Sequence, residues 1–267
     1  MFEPLMHKLQ EDCDLETGWE MDDFLTIGRN MKLIREKMII PAEFPHLVRN
    51  RLLNTLSENL QNYVATVIVG RAGTGKTMLV ADFARGCGRR VAWYKVDAPE
   101  VELRWFLHYL VASLAEQCPE IDVRTLKDVI QRIGAHDLST LAEVFAHELQ
   151  KQAIPLLLVI DDLHLVYDAH WLTPYFHRLL TLLSEETHLL ILTRSLPPTP
   201  LWRLRSKQRL CVLTEAELAF TTSEAHDLFA NYGLAAGQVG AALEQSNGRV
   251  GALAAYARRA SSAGVTL

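Results

Sequence analysis

The sequence has few cysteines, and none of them lies near another. They stand at positions Cys13, Cys87, Cys118 and Cys211, with no Cys-x-x-Cys pair. Zinc sites and disulfide frameworks need closely or regularly spaced cysteines, so this pattern argues against both. We therefore expect ordinary thiols at all of these positions.

The sequence also lacks an excess of positive charge. Its 27 lysines and arginines are outnumbered by 32 aspartates and glutamates, which gives a net charge of −5. Such a balance provides no broad attraction to DNA or to an anionic membrane. The basic residues between positions 203 and 209 alternate with other side chains, a pattern more typical of a solvated loop than of a nucleic-acid site. We predict no direct DNA binding by this chain.

Long hydrophobic runs are missing as well. The longest uncharged stretch, residues 228–243, is too short for a membrane span and contains glycine, asparagine and glutamine. The first residues are acidic where a secretory signal peptide would be basic. We predict a cytoplasmic protein that makes no membrane contact.

The length and composition are those of a folded protein. The chain has 267 residues, 49% of them apolar and 22% charged, which allows one full domain and a smaller appendage. We predict three parts: an N-terminal helical extension over residues 1–40, a core over residues 41–215, and a helical subdomain over residues 216–267.

Short apolar stretches alternate with helical patterns through the middle of the chain. Strands are predicted over residues 64–69, 91–96, 156–160, 189–192 and 210–213. Helices between successive strands are typical of a parallel sheet with right-handed crossovers. The sequence therefore predicts an α/β fold with a five-stranded parallel sheet flanked by helices, followed by the small helical subdomain.

A complete phosphate-binding motif, GRAGTGKT, lies between the first predicted strand and the next helix. Its glycines allow backbone N–H groups to surround a β-phosphate, Lys76 supplies charge to the β- and γ-phosphates, and the Thr77 hydroxyl would hold Mg²⁺. A simple Gly-rich turn is the other interpretation. The predicted nucleotide contacts are Gly70, Gly73, Thr74, Gly75, Lys76, Thr77 and Met78.

Two carboxylates follow the buried strand LLLVI. Asp161, at the end of that strand, is predicted to reach the Mg²⁺ sphere, as in a Walker B motif. Asp162 is predicted to orient or deprotonate the attacking water, which needs a carboxylate off the metal. Alternatively, Asp162 only caps the next helix or binds a basic neighbour.

The next predicted strand ends in Thr193 and Arg194. Polar residues at the carboxyl ends of parallel strands converge on the ligand crevice, so both should face the γ-phosphate, with Arg194 as its charge sensor. A solvated loop arginine is the alternative. His164 would sense the γ-phosphate or act only as a structural hydrogen-bonding group.

These motifs, taken in order, resemble the nucleotide-binding domain of the STAND ATPases. The similarity is greatest to the large ATP-binding LuxR-type (maltose-regulon activator-like) transcription regulators. It runs from about Met38 to Arg258 and includes GRAGTGKT, LLLVIDDLHLV, LLILTRSLPPTPLWRLRSKQRL and LAFTTSEAHDLF. The resemblance implies a P-loop NTPase fold of the ASCE/AAA-like type.

The resemblance also implies a function: a signalling switch for transcription, in which ADP holds a closed monomer and ATP with an inducer allows self-association. It places adenine contacts at Val48, Arg49 and Arg51. The sequence departs from the family at residues 247–251, where a nucleotide-contacting proline is missing. The family's winged-helix, sensor and DNA-binding domains are absent too, so we expect either a separated switch domain or a stand-alone ATPase that acts through a partner.

Three functional hypotheses follow. The first is an Mg-ATP-binding regulatory switch with slow ATPase activity, in which Lys76, Asp162 and Arg194 contribute to hydrolysis. The second is an interaction module that keeps ATP or ADP bound without hydrolysing it. A small-molecule kinase is the third, supported by the phosphate loop alone.

Overall fold

The structure, a computed structural model, describes residues 26–27, 31–42, 47–97, 101–132, 137–151, 155–198, 204–205, 207 and 209–262. A parallel sheet dominates these residues. Its strands are β1 (Ala65–Val69), β2 (Arg90–Lys95), β3 (Leu156–Asp161), β4 (Thr187–Thr193) and β5 (Leu210–Leu213).

The order of strands across the sheet is β2-β3-β4-β1-β5, and every neighbouring pair is parallel. Val69, the last residue of β1, is in register with Thr193, the last residue of β4. The phosphate loop, which we define as residues 70–77, therefore begins beside the carboxyl end of β4. Asp161 ends the strand on the other side of β4. The topology thus brings both nucleotide motifs to one edge of the sheet.

Helices cover both faces of the sheet. They are α1 (Asn50–Asn62), α2 (Lys76–Gly86), α3 (Leu103–Gln117), α4 (Val123–Arg132), α5 (Leu138–Gln150) and α6 (Leu172–Leu182). Successive strand residues face opposite sides: Val67 packs with α3 to α6, whereas Ile68 packs with α1 and α2. Burial on both faces explains why β3 as far as Ile160 and the middle of β4, residues 189–192, are continuously apolar.

A helical cluster follows the last strand. The short helix α7 (Glu215–Leu218) leads into α8 (Thr222–Asn231), α9 (Val239–Ser246) and α10 (Val250–Ser262). These three longer helices enclose a separate apolar core that includes Phe229 and Leu253. A separate core supports the predicted subdomain, but the domain boundaries themselves stay a prediction.

The predicted fold class is confirmed, because all five strands form one parallel sheet between layers of helices. The bounds differ by a few residues; the strand predicted over residues 189–192 spans Thr187–Thr193. Within the described part of the chain, no helix is long and apolar enough to cross a membrane.

The prediction of helix in the N-terminal extension is wrong for the described residues near the end of that extension. Thr26–Ile27 and Met31–Lys32 form a short antiparallel ribbon, and Arg35–Lys37 form a single 3₁₀ turn. Residues 1–25, and the prediction for them, lie outside the described residues. Apolar spacing alone does not make a helix in so short a segment, because most helix stability comes from packing.

Candidate functional site

The phosphate loop has a backbone that requires glycine. Gly73 and Gly75 have φ values of 79° and 82°, in the left-handed region that glycine adopts most readily. At Gly70 a Cβ atom would lie only 2.8 Å from Thr74 Oγ1. The loop can therefore turn tightly between β1 and α2, as phosphate binding through backbone N–H groups requires.

Lys76 lies at the start of α2, with only 7% of its surface exposed. Its ammonium group donates hydrogen bonds to the carbonyl oxygens of Gly70 and Arg71. Burial lowers the pKa of Lys76, and the nearby charges of Asp161 and Asp162 oppose that shift. A buried cation is thus held by the neutral carbonyls of its own loop, close to two carboxylates.

Thr77 and Asp161 meet across the edge of the sheet. The Thr77 hydroxyl donates to Asp161 Oδ2 at 3.1 Å. Asp161 is 1% exposed, and its other oxygen, Oδ1, is buried without a hydrogen-bond partner among the described residues. Burial, with a smaller contribution from the charge of Asp162, raises the pKa of Asp161 to about 6. Asp161 therefore has one carboxylate oxygen that is buried and accepts no hydrogen bond from the described residues.

Asp162 lies between two basic side chains. Its Oδ1 is 3.8 Å from Arg194 Nε and 3.7 Å from His164 Nδ1. Burial lowers the pKa of His164, which favours the neutral imidazole at pH 7. Asp162 has a φ of 59°, in the left-handed region, and stands between the end of β3 and a short 3₁₀ turn. The structure thus brings together three of the predicted γ-phosphate residues.

Thr193 and Arg194 differ in their surroundings. Thr193 is fully buried, and its hydroxyl donates to the carbonyl oxygen of Ser195 at 2.9 Å, closing the turn after β4. The Arg194 side chain is 53% exposed. Thr193 therefore fixes the turn that carries Arg194, whose long side chain keeps room to move.

The residues predicted to contact adenine lie at the beginning of α1. Arg49 is buried and donates to Leu218 O at 2.7 Å and to Glu224 Oε2 at 3.1 Å. Arg51 donates to Glu217 O at 3.1 Å, and Val48 is 49% exposed. Both arginines are thus bound to the segment around α7 and the start of α8. Their contact with a base stays a prediction.

A cavity of about 640 Å³ lies beside the phosphate loop. Its walls come from the loop and α2, from the segment before α1, and from the helical cluster. The lining residues are Leu47, Arg49, Gly75, Met78, Leu79, Asp82, Phe220, Leu228, Asn231, Tyr232, Val250, Ala254 and Arg258. This size and mainly apolar lining suit a drug-sized or nucleoside-sized ligand. Sequence reasoning missed Phe220, Tyr232 and Val250, because no local pattern places them next to the loop.

The first turn of α10 touches the phosphate loop directly. Gly251 N–H donates to Gly73 O at 2.8 Å, and a Cβ at position 251 would lie 2.9 Å from the same oxygen. A Cβ at Gly75 would lie 3.3 Å from Val250. The segment that departs from the family pattern thus still packs tightly on the loop, without a proline.

Comparison with known families now identifies the chain. The family model described as "AAA domain" matches residues 59–198, which include the phosphate loop, β3 and β4. The chain belongs to the AAA-domain family. The prediction that the chain is a P-loop ATPase domain is confirmed.

Curated relatives of this AAA-domain protein include transcription regulators. The HTH-type transcriptional regulator MalT of Cronobacter sakazakii is 33% identical over 206 residues, 74% of this chain. MalT of Klebsiella pneumoniae is 31% identical over 202 residues. The chain spans 22% of the length of each relative. The predicted likeness to LuxR-type regulators is therefore confirmed for a limited part of those proteins.

Two solved structures share the fold of the AAA-domain chain at low sequence identity. The Walker-type ATPase of Pyrococcus abyssi has a TM-score of 0.52 and 12% identity, covering 80% of this chain and 67% of its own. Drosophila ORC bound to DNA has a TM-score of 0.51 and 10% identity, covering 98% of this chain and 68% of its own. At these identities the likeness concerns the fold alone.

Proposed function

We propose that this chain binds Mg-ATP and ADP at the phosphate loop and acts as a nucleotide-dependent regulatory switch with slow ATP hydrolysis. One observation carries the proposal. The Thr77 hydroxyl and the buried Asp161 carboxylate meet at 3.1 Å beside the loop, and one Asp161 oxygen has no partner among the described residues. A buried carboxylate with one oxygen that lacks a partner is costly unless a cation completes its environment.

Thr77 and Asp161 fit Mg²⁺, which prefers hard oxygen ligands and few protein groups. The described residues contain no cluster of three or more histidines, cysteines, aspartates or glutamates that could hold a metal. Thr77 and Asp161 would therefore share the ion with phosphate oxygens. When bound, Mg²⁺ supplies positive charge that neutralises the phosphates.

The phosphate loop and the cavity together account for the rest of a nucleotide. Gly70, Gly73, Thr74 and Gly75 supply the backbone that surrounds the phosphates, and Lys76 supplies the charge. Met78, which lines the cavity together with Arg49, would contact the nucleoside. The phosphate and nucleoside sites thus join at Gly75, which belongs to both.

In the proposed hydrolysis, Asp162 accepts a proton from the attacking water. The water oxygen bonds to the γ-phosphorus, and the bond to the β–γ bridging oxygen breaks, so that ADP leaves with the electron pair and phosphate is released. Arg194 would approach the γ-phosphate, which is present in ATP and absent from ADP. Asp162 Oδ1 lies 3.8 Å from Arg194 Nε, and attraction to this cation weakens the carboxylate as a base, which supports slow turnover.

The regulatory role rests on similarity to MalT, an HTH-type transcriptional regulator. We propose that the core over residues 41–215 and the helical subdomain over residues 216–267 respond to ATP and ADP by changing their self-association or their contact with a partner protein in the cytoplasm. DNA contact would belong to the partner or to another domain, since the chain is acidic.

A second function, a module that holds nucleotide without hydrolysing it, is favoured by one observation. Asp162 Oδ1 lies 3.8 Å from the Arg194 guanidinium, and attraction to this cation makes the carboxylate a weaker base toward water. The switch hydrolyses ATP and the static module does not, so a hydrolysis assay distinguishes the two functions.

The test combines two measurements on the purified chain. Mass spectrometry of the co-purifying nucleotide identifies the ligand, and single-turnover assays with radiolabelled ATP measure hydrolysis in the wild type and in Asp162→Asn. Asparagine tolerates the left-handed backbone at position 162, so the substitution removes the base without straining the turn.

We expect a bound adenine nucleotide and hydrolysis slowed by about 10²-fold in Asp162→Asn, the usual scale for a general base. Equal rates in both proteins would remove Asp162 from the mechanism. Nucleotide binding without any turnover in the wild type would instead support the static module.

A further inference from the structure

Arg49 connects the segment before α1 to the other end of the chain. Its side chain is 7% exposed and donates through Nη1 to Leu218 O at 2.7 Å and through Nη2 to Ala219 O at 3.1 Å. Its Nε and Nη2 atoms also lie 3.3 and 3.1 Å from the two carboxylate oxygens of Glu224. Each nitrogen of the guanidinium group therefore already has an acceptor in the protein.

Glu224 is the main partner in this contact. It stands in the first turn of α8, where its carboxylate accepts the backbone N–H of Thr221 at 2.9 Å in a capping box. The same Oε2 atom accepts from Arg51 Nη2 at 3.3 Å. Arginine hydrogen bonds lower the pKa of Glu224, against the effect of burial, so the carboxylate is ionised at neutral pH. Arg49 thus binds both the connector, residues 218–221, and the beginning of the helical cluster.

This contact leads directly to the wall of the cavity. The Arg49 guanidinium lies 4.5 Å from the centre of the Phe220 ring, and both residues line the cavity. Phe220 N–H donates to Gly248 O at 2.8 Å, three residues before the Gly251 N–H that bonds to Gly73 in the phosphate loop. A continuous set of contacts therefore joins Arg49 to the loop by way of the helical cluster.

We propose that Arg49 and Glu224 are positioning residues, which hold Phe220 and the first turn of α10 against the phosphate loop so that the nucleoside cavity is formed before ligand binds. The inference rests on the proposed function. In this arrangement Arg49 does not read the base, because its donors already bind carbonyl and carboxylate oxygens. Removing Arg49 should therefore weaken the binding of every nucleotide alike.

The test compares Arg49→Ala, Arg49→Lys, Glu224→Gln and the double variant Arg49→Ala/Glu224→Gln with the wild type. Calorimetry gives the affinities for ADP, ATP and GTP. Arg90→Ala is the matched control, because it removes an ion pair with Glu120 at the opposite end of the sheet. We expect about tenfold weaker binding of all three nucleotides in Arg49→Ala and Glu224→Gln, and a smaller loss in Arg49→Lys.

Two further results are expected if the residues act as one unit. The double variant should bind nucleotide about as weakly as the single variant with the lower affinity, because the two losses of affinity are not additive. Amide hydrogen exchange at Phe220 and Gly251 should be faster in both single variants than in Arg90→Ala, even without nucleotide. Glu224→Gln keeps the side-chain size and Arg49→Lys keeps the positive charge, so these measurements remain possible if Arg49→Ala does not fold.

The inference is overturned if Arg49→Ala changes the ratio of ATP to GTP affinity while Glu224→Gln binds like the wild type, since that pattern means base reading. Wild-type affinities and exchange rates in both single variants would also overturn it. A wild type that binds no nucleotide would count against the proposed function instead, whereas the exchange rates would still decide whether Arg49 and Glu224 position the first turn of α10.

Discussion

The phosphate side and the nucleoside side of the candidate site each bury a basic residue, but they bind it in different ways. Lys76 and Arg49 are each 7% exposed. Lys76 donates to carbonyl oxygens of its own loop, five and six residues away along the chain. Arg49 binds a carboxylate and carbonyl oxygens that are 169 to 175 residues away. One cation is held locally by neutral groups, and the other is neutralised by a distant carboxylate.

This difference separates groups prepared for a ligand from groups that hold the fold. On the phosphate side, Asp161 keeps a buried oxygen without a partner among the described residues. On the nucleoside side, Glu224 accepts hydrogen bonds from both Arg49 and Arg51. Substitutions should therefore affect ligand binding on the phosphate side and the arrangement of the cavity wall on the nucleoside side.

The largest expected effect concerns Asp161→Asn and the stability of the ligand-free protein. Burial raises the pKa of Asp161 from 3.8 to about 6, so the folded state holds the proton more tightly than the unfolded state. Stability is therefore lost as the pH rises from about 4 to about 6, by roughly 3 kcal/mol. Asp161→Asn should be more stable than the wild type by about this amount at pH 7.5, and nearly equal to it at pH 4.

Denaturant unfolding in EDTA at several pH values measures this difference. Asp137→Asn is the control of opposite sign, because hydrogen bonds from Thr140 lower the pKa of the exposed Asp137 carboxylate at the start of α5. Its replacement should reduce stability at neutral pH. Equal stability of the wild type and Asp161→Asn at pH 7.5 would mean that the ionised Asp161 is already stabilised without ligand.

The second effect concerns Lys76→Ala and the affinity for ATP. Lys76 is the buried cation of the loop, and exchanging its neutral carbonyl partners for phosphate oxygens pairs the ammonium group with negatively charged acceptors. We expect a loss of at least about 2 kcal/mol in ATP binding, measured by calorimetry. Unchanged affinity would exclude Lys76 from the phosphate site. Thermal unfolding of the same variant should differ little from the wild type, in contrast to variants of Arg49.

The smallest effect concerns Arg194→Ala, which should reduce ATP affinity more than ADP affinity. The exposed Arg194 guanidinium near Asp162 would contact the γ-phosphate, which ATP carries and ADP lacks. We expect the ATP-to-ADP affinity ratio to fall about tenfold, a difference of about 1.4 kcal/mol.

Arg71→Ala provides the matched control for this measurement. Arg71 is another exposed arginine, within the phosphate loop, and its side chain is paired with Glu215 at 2.8 Å. Its replacement should leave the ATP-to-ADP ratio unchanged. Equal changes in both variants would show a general charge effect instead of γ-phosphate sensing by Arg194.

The difference between the phosphate side and the nucleoside side also explains which parts of the site could be predicted from the sequence. The strands and the phosphate loop follow from local patterns, and the topology then brings Thr77 to Asp161. The cavity wall does not follow, because Phe220 and Val250 reach the loop only through tertiary contacts of the helical cluster. Arg49 was expected at adenine from a resemblance, and only the structure reveals its binding to Glu224.

The strand order has a consequence for synthesis on the ribosome. Strand β1, which begins at Ala65, pairs only with β4 and β5, and these strands begin at Thr187 and Leu210. The β1 segment must therefore wait, unpaired, until most of the chain has been made. During that interval the unpaired backbone N–H and C=O groups and the apolar side chains of β1 are open to incorrect pairing. Chains that stall before residue 187 should aggregate unless chaperones bind them, although they already carry the complete phosphate-loop sequence.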